Sequence, residues 1–157
     1  MAVGVGPGLR SADHGLSARP SDALSALMTL PPGFDPTHKH GVGLWDGAAL
    51  VAFADFLLGY PHPAGLYVGL LIVHGEHHGK ELGRELHDAI LQRARNTATI
   101  QRMRLGIVAT SAAVAQPFWQ RLGYRPTGER KPYYYDHLTS TVTLWERAII
   151  QVEPAPN

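Results

Sequence analysis

The chain contains no cysteine, so neither a disulfide framework nor a cysteine nucleophile is open to it. It also has almost no net charge. Fourteen Lys and Arg against thirteen Asp and Glu leave a formal +1, which argues against wholesale attraction to nucleic acid or to an acidic membrane surface. Long apolar runs are missing as well: each is broken by glycine or charge well short of a membrane span. The opening MAVGVGPGLR lacks the apolar core of a secretory leader, so the expectation is a cytoplasmic protein. No G-x-G-x-x-G follows the first apolar strand, which disfavours a Rossmann-like nucleotide binder. What is present, 157 residues that are 45% hydrophobic and 17% charged, fits one globular domain with a proper core.

Residues 1–19 are rich in Gly, Ala and Ser without periodicity and read as a flexible arm. Pro20-Ser21-Asp22 marks a helix start, with Leu24, Leu27 and Met28 as its apolar stripe and Pro31-Pro32-Gly33 as its end. A polar loop carrying Asp35, His38, Lys39 and His40 follows. Gly41–Trp45 and Ala49–Leu58 read as strands joined at Asp46-Gly47, a hairpin signal. The turn Tyr60–Gly65 leads into a third strand, Leu66–Val73. A helix over about Gly79–Arg95 has Leu82, Leu86, Ala89, Ile90 and Arg93 at helical spacing. Met103–Ala109 is a strand, and Thr110 or Ser111 caps a second core helix with Val114, Phe118 and Leu122 on one face, ending at Gly123. Pro117 interrupts that helix. Arg125–Tyr135 and Thr139–Ile149 form a closing hairpin, and residues 151–157 a disordered tail. The folded domain is thus 20–150: α/β, a mixed sheet with helices on both faces.

The stretch 66–86 carries the most information. A buried strand, a short Gly-containing loop and a helix in that order aim free backbone N–H groups at one spot. The helix dipole makes that spot electropositive, which suits a phosphate or pyrophosphate.

Two signatures together resemble the GNAT N-acetyltransferase family. The first is Leu71-Ile72-Val73-His74 followed by His78-Gly79-Lys80-Glu81-Leu82-Gly83, where family members read Q/R-x-x-G-x-G/A. Gly83 matches the last small residue, His78 stands in place of Gln/Arg, and Glu81 in place of the middle glycine. The second is Arg104-Leu105-Gly106-Ile107-Val108, then Phe118-Trp119-Gln120-Arg121-Leu122-Gly123-Tyr124, like the family's next core strand and the "F-Y/W-x-x-x-G-F/Y" ending of its helix. The resemblance covers roughly residues 20–149. It implies a mostly antiparallel central sheet and acetyl transfer from acetyl-coenzyme A to a primary amine of a small-molecule or peptide acceptor. The cofactor would be held by Leu71, Ile72, Val73, His78, Gly79, Lys80, Glu81, Leu82, Gly83 and Arg84, with a backbone N–H near Ile72–Val73 as oxyanion donor. Lys80 and Arg84 offset the Glu81 carboxylate. A homodimer is an expectation of the family; a nucleic-acid or membrane partner is not.

Direct attack needs a neutral amine, and at neutral pH only on the order of 0.1% of an unperturbed lysine-like amine is neutral. Relatives often carry a Glu base early in the central strand, where this chain has Leu66-Tyr67-Val68-Gly69. Asp55, alone in the apolar run Leu50–Leu58, is the replacement as base or amine anchor, unless it is a buried acid paired with an arginine. His62 is the weaker candidate. The relatives' tyrosine proton donor aligns with Trp119, which has no acidic proton, leaving water, Ser111, Tyr124, Tyr133 or Tyr134, with Tyr134 the residue named for the role. His74, His77 and His78 lack the spacing of a metal site, and no metal is expected. Arg93, Arg95, Arg102 and Arg104 read as a solvated helix end. With the glutamate and tyrosine both missing, the alternative is a non-catalytic domain of the same fold that binds coenzyme A or a protein partner.

Overall fold

In the computed structural model, described over residues 31–75, 81–135 and 138–150, with backbone alone for 133–135 and 138, the β-rich runs assemble into one six-stranded sheet. A 3-10 turn, Pro36–His38, leads into β1 (Lys39–Asp46), which folds back as β2 (Ala49–Leu58). Lys39 and His40 therefore begin a strand rather than ending a loop. The two-residue hairpin loop is Gly47-Ala48, one position later than the sequence suggests. Gly47 supplies the positive φ (58°) that the first loop position of a type II′ turn requires.

Strand β3 (Gly65–Val73) pairs antiparallel with β2. The chain then passes through α1 (Leu82–Arg95) to β4 (Arg102–Val108), which lies parallel to β3. A helical crossover is the usual route between parallel neighbours. After the 3-10 turn Ala109–Ser111 comes α2 (Ala112–Arg121), and β5 (Arg125–Tyr135) with β6 (Leu138–Ala148) closes the sheet in the order β1-β2-β3-β4-β6-β5. All pairings except β3–β4 are antiparallel. The expected arm, the helix begun at Pro20 and the tail lie outside the described residues.

Alternation divides the sheet into two faces. Ala52, Ala54, Phe56, Leu66, Val68, Leu71, Met103, Leu105 and Ile107 join Leu86, Ile90 and Ala94 of α1 and Ala115 and Trp119 of α2 in one core. Both described helices thus pack on the same face. Phe53, Leu70 and Ile72, and separately Val108, Val142 and Leu144, cluster on the other.

Both helices sit rotated from the sequence expectation. In α1 the buried stripe is Gly83, Leu86, His87, Ile90, Leu91 and Ala94, because a histidine occupies a core position that a hydrophobic pattern does not count. In α2 Ala115 and Trp119 are buried while Val114 is exposed. Ser111 does take the N-cap position but makes no side-chain cap. The preceding 3-10 turn runs straight into the helix and leaves Ser111 near-helical (φ −105°, ψ 0°) instead of in the extended conformation a capping side chain needs. Gly123, at φ +92°, ends the helix as expected. Among the described residues no helix is long and apolar enough to cross a membrane.

Candidate active site

The parallel strands stay paired only from Gly65↔Arg102 to Val68↔Leu105. Beyond that point β3 continues to Val73 beside β2, while β4 continues to Val108 beside β6. A gap opens between them, at the end of the sheet from which β3 leads to α1. Backbone amides of β3 alternate between β2 and the gap: His74 and Ile72 turn theirs to β2, Leu71 and Val73 to the gap side.

Helix α1 begins at Leu82, not near Gly79, because Glu81 turns the chain into the left-handed region (φ 58°, ψ 24°). It is the one non-glycine residue with positive φ among the described residues. This is the conformation glycine adopts freely and other residues resist, so Glu81 keeps the backbone shape while lacking the residue suited to it. Its side chain is exposed, as is Arg84 beside it. Gly83 serves packing: a Cβ there would stand 3.1 Å from Phe118 Cζ and 3.5 Å from Leu71 Cδ2. The bare backbone lets α2 and β3 approach the first turn of α1. His78, Gly79 and Lys80 lie outside the described residues.

Asp55 is 4% exposed and faces away from both described helices, directly opposite Leu70. The register slips between Asp55 and Phe56, which leaves Gly69 as a bulge in β3. The Asp55 carboxylate leans over this glycine, so close that a Cβ at Gly69 would fall 2.5 Å from Oδ1, and it accepts the Leu70 N–H. Its partner cation is a lysine and not an arginine: Lys39 Nζ stands 3.6 Å from Oδ2. Burial nevertheless outweighs the help of Lys39 and of the Leu70 N–H, and raises the Asp55 pKa to about 6. Gly69 is also the first β3 residue past the last β3–β4 pair, so the buried acid sits where the gap begins.

The other face holds a polar group that sequence reading missed. His87 is fully buried, its Nε2 2.9 Å from Tyr124 Oη, and Tyr124 Oη is 3.7 Å from Met103 Sδ. Burial, then the nearby Arg147 and Arg84 charges, lowers the His87 pKa to about 4 and keeps it neutral. The signal available was a histidine at a core phase of the α1 pattern. Trp119 stacks edge-on against His87, Phe118 and Tyr124, its ring fully buried. The Tyr124 hydroxyl is thus committed inside the core, its pKa pushed upward by burial.

The remaining candidates are spread apart. His62 lies exposed in the turn before β3, at the end of the sheet opposite the gap. Of Tyr133, Tyr134 and Tyr135 the backbone pairs with Ser140, Thr139 and Leu138; their side chains lie outside the described set. His74 follows β3, with its N–H on the Val51 carbonyl, while His77 and His78 are not described. Arg102 and Arg104 are strand residues rather than a helix end. Arg104 pairs with Glu129 and with Glu146, the latter at 3.6 Å, and Arg102 with Glu146 at 3.7 Å.

No curated protein matches the chain in sequence. Solved structures share its fold. The ribosomal-protein alanine N-acetyltransferase of Escherichia coli superposes with a TM-score of 0.62 at 14% identity, over 90% of this chain and 97% of that one. An acetyltransferase from Thermus thermophilus gives 0.53 at 23% identity, over 71% and 64%. The IAA acetyltransferase of Bacillus cereus gives 0.58 at 11% identity, over 72% and 79%. At these identities the likeness is one of fold. The model of the acetyltransferase (GNAT) family matches residues 15–124, a span that holds the strand–loop–helix of β3 and α1, the parting strands and the end of α2, and the chain belongs to that family.

Proposed function

We propose that the protein is an N-acetyltransferase that moves the acetyl group of acetyl-coenzyme A to a primary amine by direct attack. The parting of β3 and β4 beyond Val68 and Leu105 carries this reading. An extended, amide-bearing arm laid in that gap meets backbone donors and acceptors as a further strand would. Its diphosphate end then falls at the N-terminus of α1, where backbone N–H groups and the helix dipole favour anions. Arg84, with Lys80, adds positive charge there against Glu81. A backbone N–H in the Ile72–Val73 stretch supplies the oxyanion donor. Asp55, with a pKa of about 6, is ionised at neutral pH yet basic enough to take a proton from an incoming ammonium.

The acceptor class is a small-molecule or peptide amine. The Escherichia coli relative, named for acetylating an alanine of a ribosomal protein, supports an amine. The burial of Trp119, where many relatives place a tyrosine donor, favours a second reading: a domain that binds coenzyme A without turning it over. Calorimetric titration with acetyl-coenzyme A, with a nicotinamide dinucleotide as control, tests the first step. Selective micromolar binding is expected, and its absence would discard the reading. Binding with no coenzyme release across a panel of amines would favour the non-catalytic domain.

A further inference from the structure

An amine already stands beside the proposed base. Lys39 reaches along the sheet from the start of β1 to Asp55, Nζ to Oδ2 3.6 Å, and the two side chains are only 8% and 6% exposed. Gly41, directly opposite Asp55 in the register, carries no side chain. Asp55 in turn overlies Gly69, where β3 leaves its pairing with β4. The ammonium thereby stands beside a carboxylate that overlies β3 where that strand begins to border the gap, the strand whose later amides would hold the thioester. A lysine is rarely buried without a use or a partner, and this one is buried next to a group able to take its proton.

We propose that Lys39 is a self-acetylation site of this protein, a reading that rests on the acetyltransferase function above. Asp55 takes one proton from the Lys39 ammonium. The freed Nζ lone pair forms a C–N bond to the thioester carbonyl carbon, and collapse breaks the C–S bond, with the electron pair leaving on the coenzyme sulfur. The nitrogen sheds two protons in all: one ends on the sulfur as thiol and the other passes to solvent. Acetyl-Lys39 carries no charge, so the modification withdraws the cation that now faces Asp55 and changes how that carboxylate meets an external amine.

The chain makes the test clean because it has only three lysines, Lys39, Lys80 and Lys131. Lys131 is exposed and reports the uncatalysed reaction. The full chain is incubated with acetyl-coenzyme A and no added amine, and acetyl incorporation at each lysine is followed by peptide mass mapping. Proximity is expected to make buried Lys39 react at least roughly tenfold faster than exposed Lys131. Excess desulfo-coenzyme A should slow Lys39 alone. If Lys39 reacts no faster than Lys131 while calorimetry shows acetyl-coenzyme A bound, self-acetylation is wrong and the acetyltransferase reading stands. If acetyl-coenzyme A does not bind, both fall.

Discussion

Glu81 holds a backbone conformation that a Cβ opposes, at the point where β3's loop becomes α1. Left-handed φ and ψ cost a non-glycine residue roughly 1–2 kcal/mol, whereas glycine loses about 0.5–1 kcal/mol of extra chain entropy. Relief of that strain in Glu81→Gly is worth about 0.5–1 kcal/mol. The lost attraction of the carboxylate to the helix dipole offsets it by about 0.3–1 kcal/mol. Stability read from urea unfolding should therefore stay within about 0.5 kcal/mol of wild type. The substitution also removes that carboxylate from the helix N-terminus. Interactions between exposed charges are worth about 0.2–1 kcal/mol, so relief of its repulsion toward a diphosphate should raise acetyl-coenzyme A affinity by up to about fivefold. A clearly destabilised variant would mean that the loop draws more from the Glu81 side chain than its strain costs. Asp55 is the other residue whose chemistry its neighbours decide. Its place in an apolar run was plain from the sequence, whereas its partner was not. Lys39 sits sixteen positions earlier (55 − 39) in what looked like a loop, and only the β1–β2 register brings the two together.

At the scale of elements, Gly83 joins α1 to α2. The sequence motif marks it as the last small residue of the cofactor loop, and the structure adds a packing reason for it, with Phe118 against the space its side chain would fill. Gly83→Val should cost about 1–3 kcal/mol through overpacking. In a Phe118→Ala background that cost should shrink by at least about 0.5 kcal/mol, since contacting residues couple. An unchanged cost would remove Phe118 as the reason for the glycine. The strands were legible from their apolar runs, Ala49–Leu58 to the residue, and so was the stop of α2 at Gly123. Helix phase was harder to read. Buried His87 hid the true stripe of α1, and in α2 the choice of Val114 over Ala115 followed hydrophobicity, while the packed side is the one that brings Trp119 onto the core. The strand parting at the gap left no mark in composition. It arises because β3 follows β2 and β4 follows β6 past their last common pair.

For the whole molecule, two buried titrating groups on opposite faces of the sheet set opposing pH dependences. The Asp55 pKa is raised from 3.8 to about 6, so the folded state holds this proton longer than the unfolded chain. The associated stability is complete below 3.8 and is lost as pH rises to about 6. The His87 pKa is lowered from 6.5 to about 4, so the folded state refuses a proton that the unfolded chain accepts. Its stability is complete above 6.5 and is lost as pH falls to about 4. Each shift of about two units corresponds to on the order of 3 kcal/mol. Over their shared window the two contributions largely cancel, and the native protein should show only a shallow dependence from this pair. Asp55→Asn keeps an acceptor for the Leu70 N–H but does not titrate, so its stability relative to wild type should fall by on the order of 3 kcal/mol between pH 6.5 and 4. His87→Gln keeps a polar partner for Tyr124 and should show the opposite trend. The two sites lie on separate faces of the sheet, so the double variant should return toward the wild-type profile. Urea unfolding of all four proteins across that range isolates the pair, because the other carboxylates are common to every curve. Four parallel curves would mean that neither group titrates differently in the folded and unfolded chains, and Asp55 would lose its standing as a base.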